Sequence, residues 1–289
     1  MISWVNFHSH TNYCDGKSAA EDFAKEAVRL GLPAYGYTSH APVCFHSDWN
    51  MPVEKLTGYV KEIQLIKKRY REKLQVYLGL EVDFIPGVAG RYSDILKNTD
   101  LDYFIGSIHY IDKFPGGEYW NIDTTQELFE KGLKEIFHND IRKAVVTFWE
   151  NTRNMVETDR PDIIGHMDKI KMFSKNNNLF NENEKWYREQ VELTLQTIKK
   201  HNTIVEINTR GYYKFGKDYL YPGEEIITLL TKYQIPVTIS SDAHIPAEIT
   251  KGLSFAAGKL INSGITHIAA LQNGRWEDFP LTHEGISIN

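Results

Sequence analysis

The chain has 289 residues, 42% of them hydrophobic, and a formal net charge of −5, which is typical of a globular protein and excludes disordered and collagen-like chains. With only two cysteines and no Cys-x-x-Cys pair it is not a disulfide scaffold, and its mildly acidic balance argues against a nucleic-acid partner. No run approaches 18 apolar residues and no secretory signal is visible, so we expect no membrane partner and a cytoplasmic location.

Short apolar runs alternate with segments of helical periodicity along the chain. Strands are predicted at residues 4–7, 34–38, 75–82, 102–110, 163–165, 203–207 and 236–239. Helices are predicted at residues 18–30, 53–71, 185–200 and 224–233. Strands that alternate with helices are typical of a parallel sheet with crossover helices, and seven such units favour an α/β barrel. Residues 113–160 are predicted to be a loop with helices, inserted between strands four and five of a single domain.

Histidines and acids recur where the predicted strands end. The histidines are His8, His10, His40, His109, His166 and His244. The acids are Asp15, Glu81, Glu206 and Asp242. Because the carboxyl ends of barrel strands open on one face, these side chains should converge in one pocket. Imidazole and carboxylate groups bind zinc, iron and manganese, and so many of them exceed what a single ion needs.

Any one of these histidines could instead be a hydrogen-bonded core residue. The spacing of His8 and His10 argues for metal binding, because residues i and i+2 of a strand point to the same face. Asp242 and His244 repeat that spacing with mixed ligands. The other five histidines are assigned to the surface or to packing.

Six separated motifs carry a resemblance to a known family. They are His8-Ser9-His10-Thr11 with Asp15-Gly16, Thr38-Ser39-His40, Gly79-Leu80-Glu81, Gly106-Ser107-Ile108-His109, Gly165-His166 and Ser241-Asp242-Ala243-His244. In wording and order they resemble the polymerase and histidinol phosphatase family, above all its histidinol-phosphatase branch. The resemblance spans nearly the whole chain and implies a distorted seven-stranded (β/α) barrel that holds three divalent ions, of zinc, manganese or iron.

The resemblance also implies which residues hold each ion. The first ion would take His8, His10, Glu81 and Asp242. The second would share Glu81 and add His109 and His166. The third would take Asp15, His40 and His244. Many members of the family have a histidine where this chain has Gly16, and Asp15 is the substitute one residue earlier.

Three further residues are predicted to contact a substrate. Arg210, just past the sixth predicted strand, could grip a phosphate through two hydrogen bonds, or it could close the barrel rim as a salt bridge. In the insert, Glu118 could meet a substrate ammonium and Trp120 could stack on an imidazole ring. The same segment could equally be a solvated loop, and Glu206 could be a buried, paired acid.

The motifs predict a hydrolase that uses metal-activated water. The sequence has no Ser-His-Asp order, P-loop or dinucleotide fingerprint. Metal ions lower the pKa of bound water, so a hydroxide that bridges the first two ions is the predicted nucleophile. The phosphate oxygens would bind the ions, with Arg210 as a helper, and Asp242 and His244 are both candidates for protonating the leaving group. The resemblance implies that the small phosphate ester is L-histidinol phosphate, hydrolysed in histidine biosynthesis.

Two alternatives stay open at this point. The chain could be a phosphoesterase of the same family that acts on another small phosphate ester or on a nucleotide. It could also be a non-catalytic metal-binding module, although degenerate modules lose ligands and this set is complete. The sequence predicts no oligomeric state.

Overall fold

A computed structural model of the chain describes residues 1–174 and 179–288. In chain order the strands are β1 (Ile2–Ser3), β2 (Ala34–Tyr37), β3 (Gln75–Asp83), β4 (Tyr103–Ser107), β5 (Tyr110–Lys113), β6 (Tyr119–Asn121), β7 (Ile163–Ile164), β8 (Ile204–Asn208), β9 (Val237–Ser240), β10 (His267–Gln272), β11 (Arg275–Thr282) and β12 (Gly285–Ser287). The helices are α1 (Ala20–Arg29), α2 (Leu56–Tyr70), α3 (Gln126–Glu135), α4 (Ile141–Thr158), α5 (Lys185–His201), α6 (Arg210–Phe215), α7 (Glu224–Tyr233) and α8 (Leu253–Asn262).

The main sheet has six parallel strands in the order β2-β3-β4-β7-β8-β9. These strands are almost entirely buried, as expected for a parallel sheet whose outer face is covered by helices. Helix α1 illustrates the covering, since Ala20, Phe23, Ala24 and Ala27 share one buried face at helical spacing. The helix ends before Gly31, which has a φ of +70° and relaxes the turn into β2.

Residues 6–10 lie between the two edges of this curled sheet. On one side the backbone N–H of Gly36 donates to the carbonyl of Asn6 at 2.9 Å. On the other side the N–H of His10 donates to the carbonyl of Ala243 at 2.8 Å. The pairing consists of single bridges rather than a regular ladder, which is why no strand is assigned at residues 4–7. The result is a distorted barrel of seven parallel segments, and the predicted α/β barrel is confirmed.

The long interruption after β4 contains the antiparallel hairpin β5–β6 and helices α3 and α4. Helix α4 packs against α5 and forms the crossover that returns the chain to β7. Trp120 on β6 lies fully buried in the hydrophobic core, with its ring centroid 5.4 Å from that of Phe129. The hairpin therefore packs on α3 and extends the wall of the barrel above β4.

The carboxyl-terminal region forms an antiparallel sheet that the sequence analysis did not predict. Its order is β1-β12-β11-β10, and β10 lies beside β9. Trp276 on β11 packs edge-on against Phe7, with 5.3 Å between the ring centroids. Among the described residues, no helix is both long enough and apolar enough to cross a lipid bilayer.

Candidate metal centre

All nine residues predicted as metal ligands lie together at the end of the barrel where the parallel strands terminate. Every one is buried except Asp15, whose side chain is 28% exposed. Four groups of ligand atoms, each within 4.8 Å of one another, occur among the described residues; one joins His40 and His109 to Asp83, and the other three consist of predicted ligands alone. Those three groups are His8, His10 and Asp242; Glu81, His109 and His166; and His10, Asp15, His40 and His244.

Glu81 lies between the first two groups. Its Oε2 is 3.2 Å from Nε2 of His8 and 3.5 Å from Nε2 of His10. Its Oε1 is 3.0 Å from Nε2 of His166 and 3.6 Å from Nε2 of His109. Oε2 also lies 3.0 Å from Nδ1 of His40 in the third group. One carboxylate thus presents its two oxygens to different sets of imidazoles, an arrangement that would let it bridge two ions.

Asp15 anchors the third group. Its Oδ2 lies 3.0 Å from Nε2 of His244, and its Oδ1 lies 3.8 Å from Nε2 of His40. The neighbouring Gly16 is required by the turn, because a Cβ there would stand 2.2 Å from the carbonyl oxygen of His10. The backbone of this chain therefore has no room for a side chain at Gly16, and the adjacent Asp15 directs its carboxylate to His40 and His244.

Several ligand atoms are buried without a hydrogen-bond partner. They are Nε2 of His8, Nε2 of His10, Nδ1 of His40, Oε2 of Glu81 and Oδ1 of Asp15. Burying a polar atom without a partner costs free energy, and these atoms converge on one another. Bound cations would satisfy imidazole and carboxylate acceptors together, so the donor set fits a cluster of divalent metal ions.

Two further carboxylates orient the histidines from behind. Glu206 places Oε1 2.5 Å from Nδ1 of His8, and its Oε2 accepts a hydrogen bond from the backbone N–H of His166 at 2.8 Å. Asp83 places Oδ1 2.8 Å from Nδ1 of His109. Such contacts fix which ring nitrogen is free for a metal. Glu206 was expected from the sequence as a possible buried, paired acid. Asp83 was not expected near the ligands, although it stands two residues after Glu81 and so lies on the same face of β3.

The charges of the centre reinforce one another. Burial would raise the pKa of Glu81, but His8, His40 and His109 hold it well below its usual range. Burial alone would lower the pKa of the His109 imidazole, but the nearby carboxylates of Asp83 and Glu81 raise it to about 9. The backbone is also strained at two ligands, since Asp242 has a φ of +50° and His166 a φ of +21°.

A cavity of about 360 Å³ opens above the ligands. Its rim includes Trp49, Asp123, Lys169, Arg210 and Lys214. Arg210 Nη1 donates to the carbonyl oxygen of Asp242 at 3.0 Å, so the guanidinium lies over the first ligand group. Its phosphate-binding role stays a prediction.

A family model described as the PHP domain matches residues 6–210, which is more than half of the chain. The chain belongs to the PHP domain family. The membership predicted from the six motifs is thereby confirmed.

Named relatives of this PHP domain protein match it over most of their length. It is 25% identical over 284 residues to the probable histidinol-phosphatase of Schizosaccharomyces pombe, covering 93% of this chain and 90% of the relative. It is 25% identical over 263 residues to the histidinol-phosphatase of Bacillus subtilis, covering 84% and 94%. A crystal structure of histidinol phosphate phosphatase from Lactococcus lactis, complexed with zinc, L-histidinol and phosphate, covers 100% of both chains with a TM-score of 0.70 and 17% identity, and so has the same fold.

Two residues predicted to contact a substrate lie away from the centre of this PHP domain protein. Trp120 is 0% exposed and packs on Phe129, so the structure corrects the expectation that its ring stacks on a substrate. Glu118 is exposed on the turn of hairpin β5–β6, outside the cavity rim. Besides the proposed ligands, the cavity is lined by the aromatic side chains of Trp49 and Phe215 and by the carboxylate of Asp123, none of which was predicted from the sequence.

Proposed function

We propose that this protein hydrolyses L-histidinol phosphate to L-histidinol and phosphate, as a metal-dependent histidinol-phosphatase of histidine biosynthesis. The observation that carries the proposal is the set of buried ligand groups joined through Glu81, which open into a cavity of about 360 Å³. The family and the names of the curated relatives support the same activity. A nuclease role has no comparable support.

Three divalent transition-metal ions, of zinc, manganese or iron, fit the three ligand groups. His8, His10 and Asp242 would hold the first ion. Glu81, His109 and His166 would hold the second, with Glu81 shared with the first. Asp15, His40 and His244 would hold the third. When bound, such ions polarise phosphate oxygens and lower the pKa of water, so that hydroxide is available near neutral pH.

The residues of the chain orient the reactants around these ions. Arg210 is held against the carbonyl of Asp242 at 3.0 Å, where its remaining N–H groups are available to a phosphate oxygen. Lys214, on the same helix, lines the cavity and adds positive charge for a phosphate dianion. These cations favour the ester, which carries the phosphate dianion, over the alcohol product, which has lost the phosphate and keeps its ammonium group.

The leaving alkoxide needs a proton, and the two candidates differ in their contacts. His244 has Nδ1 3.0 Å from the carbonyl oxygen of Asp242 and Nε2 3.0 Å from Asp15. A proton on Nδ1 would donate to that carbonyl and leave Nε2 as a metal ligand. We therefore assign the proton transfer to Asp242, whose Oδ2 is 3.2 Å from the amide of Asn208. The histidines around it and Arg210 keep the pKa of this carboxyl low, so the ionised carboxylate would accept a proton from the attacking water and pass it to the leaving alkoxide.

The test is an assay of the pure protein, with its metal content measured, against a panel of phosphate monoesters. The panel contains L-histidinol phosphate, glycerol phosphate, p-nitrophenyl phosphate and a nucleoside monophosphate. We expect kcat/KM to be highest for L-histidinol phosphate and to vanish in protein stripped with a chelator. Equal turnover of the nucleotide, or full activity without metal, would contradict the proposal.

A further inference from the structure

One wall of the cavity takes no part in holding the ions or the phosphate. It is formed by Trp49, which follows β2, and by Asn121 and Asp123 at the end of the hairpin that follows β4. Arg210 and Lys214 belong to α6, which follows β8 on the other side of the barrel. The cavity thus has one side with two cations, both close to Glu248, and a second side with an indole and a carboxylate that is paired with Lys169.

Asp123 places in this wall a carboxylate that has few partners within the described part of the chain. Its side chain is only 17% exposed, and in the described part of the chain it forms an ion pair with Lys169, whose Nζ lies 3.5 Å from Oδ2. Within residues 1–174 and 179–288 the carboxylate accepts no hydrogen bond. Its backbone N–H donates to Oδ1 of Asn121 at 2.9 Å, which fixes the turn that carries it. An ionised carboxylate can accept about four hydrogen bonds, so most of its capacity is free for a cation in the cavity.

Trp49 is a rigid aromatic group beside the same space. Its ring stacks on Tyr110 with 5.6 Å between centroids and 13° between planes. It also lies edge-on to His40 at 4.3 Å and to His109 at 5.0 Å. These two histidines belong to the second and third ligand groups, so a phosphate at the ions would leave its alcohol portion next to the indole. Aromatic rings attract one another in such edge-on and offset arrangements.

We propose that Trp49 and Asp123 form the leaving-group subsite, in which Asp123 pairs with an ammonium group of the alcohol and Trp49 contacts its heteroaromatic ring. The subsite selects a phosphate ester of a cationic amino alcohol, because the two ends of such a molecule match the two sides of the cavity. This inference rests on the proposed function. It gives Asp123 and Trp49 the roles that the sequence analysis had assigned to Glu118 and Trp120.

The ammonium contact is tested by comparing two substrates that differ only in the amino group. These are L-histidinol phosphate and 3-(imidazol-4-yl)propyl phosphate. Charge-assisted hydrogen bonds are strong enough that Asp123→Asn should lower the ratio of their kcat/KM values by about tenfold to a hundredfold. The matched control is Glu118→Gln, which removes an exposed acid of the same hairpin and should leave the ratio unchanged. An unchanged ratio in Asp123→Asn, or an equal fall for both substrates, overturns the ammonium contact.

The ring contact is tested with L-alaninol phosphate, which keeps the ammonium and lacks the imidazole. Trp49→Leu should lower the preference for L-histidinol phosphate over L-alaninol phosphate by roughly twofold to tenfold, while Trp49→Phe should keep it. Metal content is measured in both variants, because Trp49 touches two proposed ligands. The same preference in Trp49→Leu as in the wild type overturns the ring contact.

The subsite can fail separately from the proposed function. If the wild-type protein does not hydrolyse L-histidinol phosphate, the proposed function is wrong. Calorimetric binding of L-histidinol to the wild type and to Asp123→Asn then tests the subsite without turnover. Weaker binding to the variant supports the subsite, and equal binding overturns it.

Discussion

At the scale of single residues, Glu206 determines how His8 presents its ring. Oε1 of Glu206 faces Nδ1 of His8, while Oε2 accepts hydrogen bonds from the backbone of His166 and from Nδ2 of Asn208 at 3.0 Å. The proton of the imidazole is therefore held on Nδ1, and the lone pair of Nε2 points toward Glu81 and Asp242. A carboxylate suits this place because every group around it donates.

Glu206→Gln should weaken metal binding tenfold to a hundredfold, the range found when such an orienting partner is lost. With its amide nitrogen toward His8, glutamine would force the imidazole proton onto Nε2 and block the ligand atom. With the amide turned the other way, its nitrogen would meet the two donors at His166 and Asn208. Competition with a fluorescent chelator measures the affinity, and Glu118→Gln is the exposed control. An unchanged affinity would mean that the orientation of His8 does not depend on this acid.

Asp15 supplies the only carboxylate of the third ligand group. Asp15→Ala should leave roughly two ions per chain and a folded protein, yet lose much of the phosphatase rate, because the phosphate loses one cationic partner. Elemental analysis and the L-histidinol phosphate assay on the same sample measure both effects. Asp112→Ala, at an exposed acid of hairpin β5–β6, is the control. If Asp15→Ala kept three ions per chain and full activity, Asp15 would be a turn residue before Gly16 and not a metal ligand.

The nine proposed ligands could be predicted from the sequence because they stand at strand ends, where barrel geometry brings side chains together. Trp49, Asp83 and Asp123 could not be predicted as easily. Asp123 reaches the cavity only because hairpin β5–β6 folds over β4, and a short hairpin does not reveal which face packs inward. For the same reason the sequence could not show that Trp120 faces away from the cavity. Its ring lies on the face of β6 that packs against α3.

At the scale of elements, the barrel closes through Asn6 rather than through a regular strand. Its fully buried side chain donates from Nδ2 to Oγ of Ser241 at 2.8 Å and to the carbonyl of Ile249 at 3.1 Å. Its Oδ1 accepts from the backbone N–H groups of His8 and Ser241 at 3.2 and 3.3 Å. These bonds join the first segment to the end of β9, and so align His8 and His10 with Asp242.

Asn6→Ala should lower the free energy of unfolding by at least about 2 kcal/mol, because it leaves several buried donors and acceptors unpaired. Urea denaturation of chelator-stripped protein measures this loss without help from bound metal. Asn98→Ala, at an exposed asparagine, should stay within about 0.5 kcal/mol of the wild type. An equally small effect at Asn6 would show that other contacts close the barrel.

The alternation of strands and helices was readable because buried parallel strands are continuous apolar runs bounded by turns. The carboxyl-terminal sheet could not be predicted from the sequence, because β11 is mostly exposed and lacks a clear apolar run. Its stability depends on the pairing with β10 and on the contact of Trp276 with Phe7, both of them long-range.

At the scale of the whole molecule, the ligands are spread from His8 to His244 and meet only when the barrel has closed. Metal binding is therefore coupled to folding and to the loss of protons from the ligands. His109 shows that metal binding must be accompanied by the loss of a proton. Its pKa of about 9 means that the metal-free imidazole is protonated at pH 7.5, and that the proton on Nε2 must leave before a metal binds.

Adding zinc to chelator-stripped protein at pH 7.5 should consequently release at least one proton per chain. The apparent metal affinity should rise with pH between 6 and 8, because metal and proton compete for the same ring nitrogens. A pH-indicator dye in weakly buffered solution measures the release. Binding without any release would mean that the ligand histidines are already neutral before the metal arrives.

The most direct test of the account is the number of transition-metal ions per chain in wild-type protein and in Glu81→Ala, each measured together with turnover of L-histidinol phosphate. We expect more than one ion per chain in the wild type. The variant should lose metal and activity together, because it removes the carboxylate that faces both His8 and His166. Ala at the exposed His46 should change neither quantity. Less than one ion per chain in a fully active wild type, or undiminished turnover in Glu81→Ala, would contradict a multinuclear centre joined through Glu81.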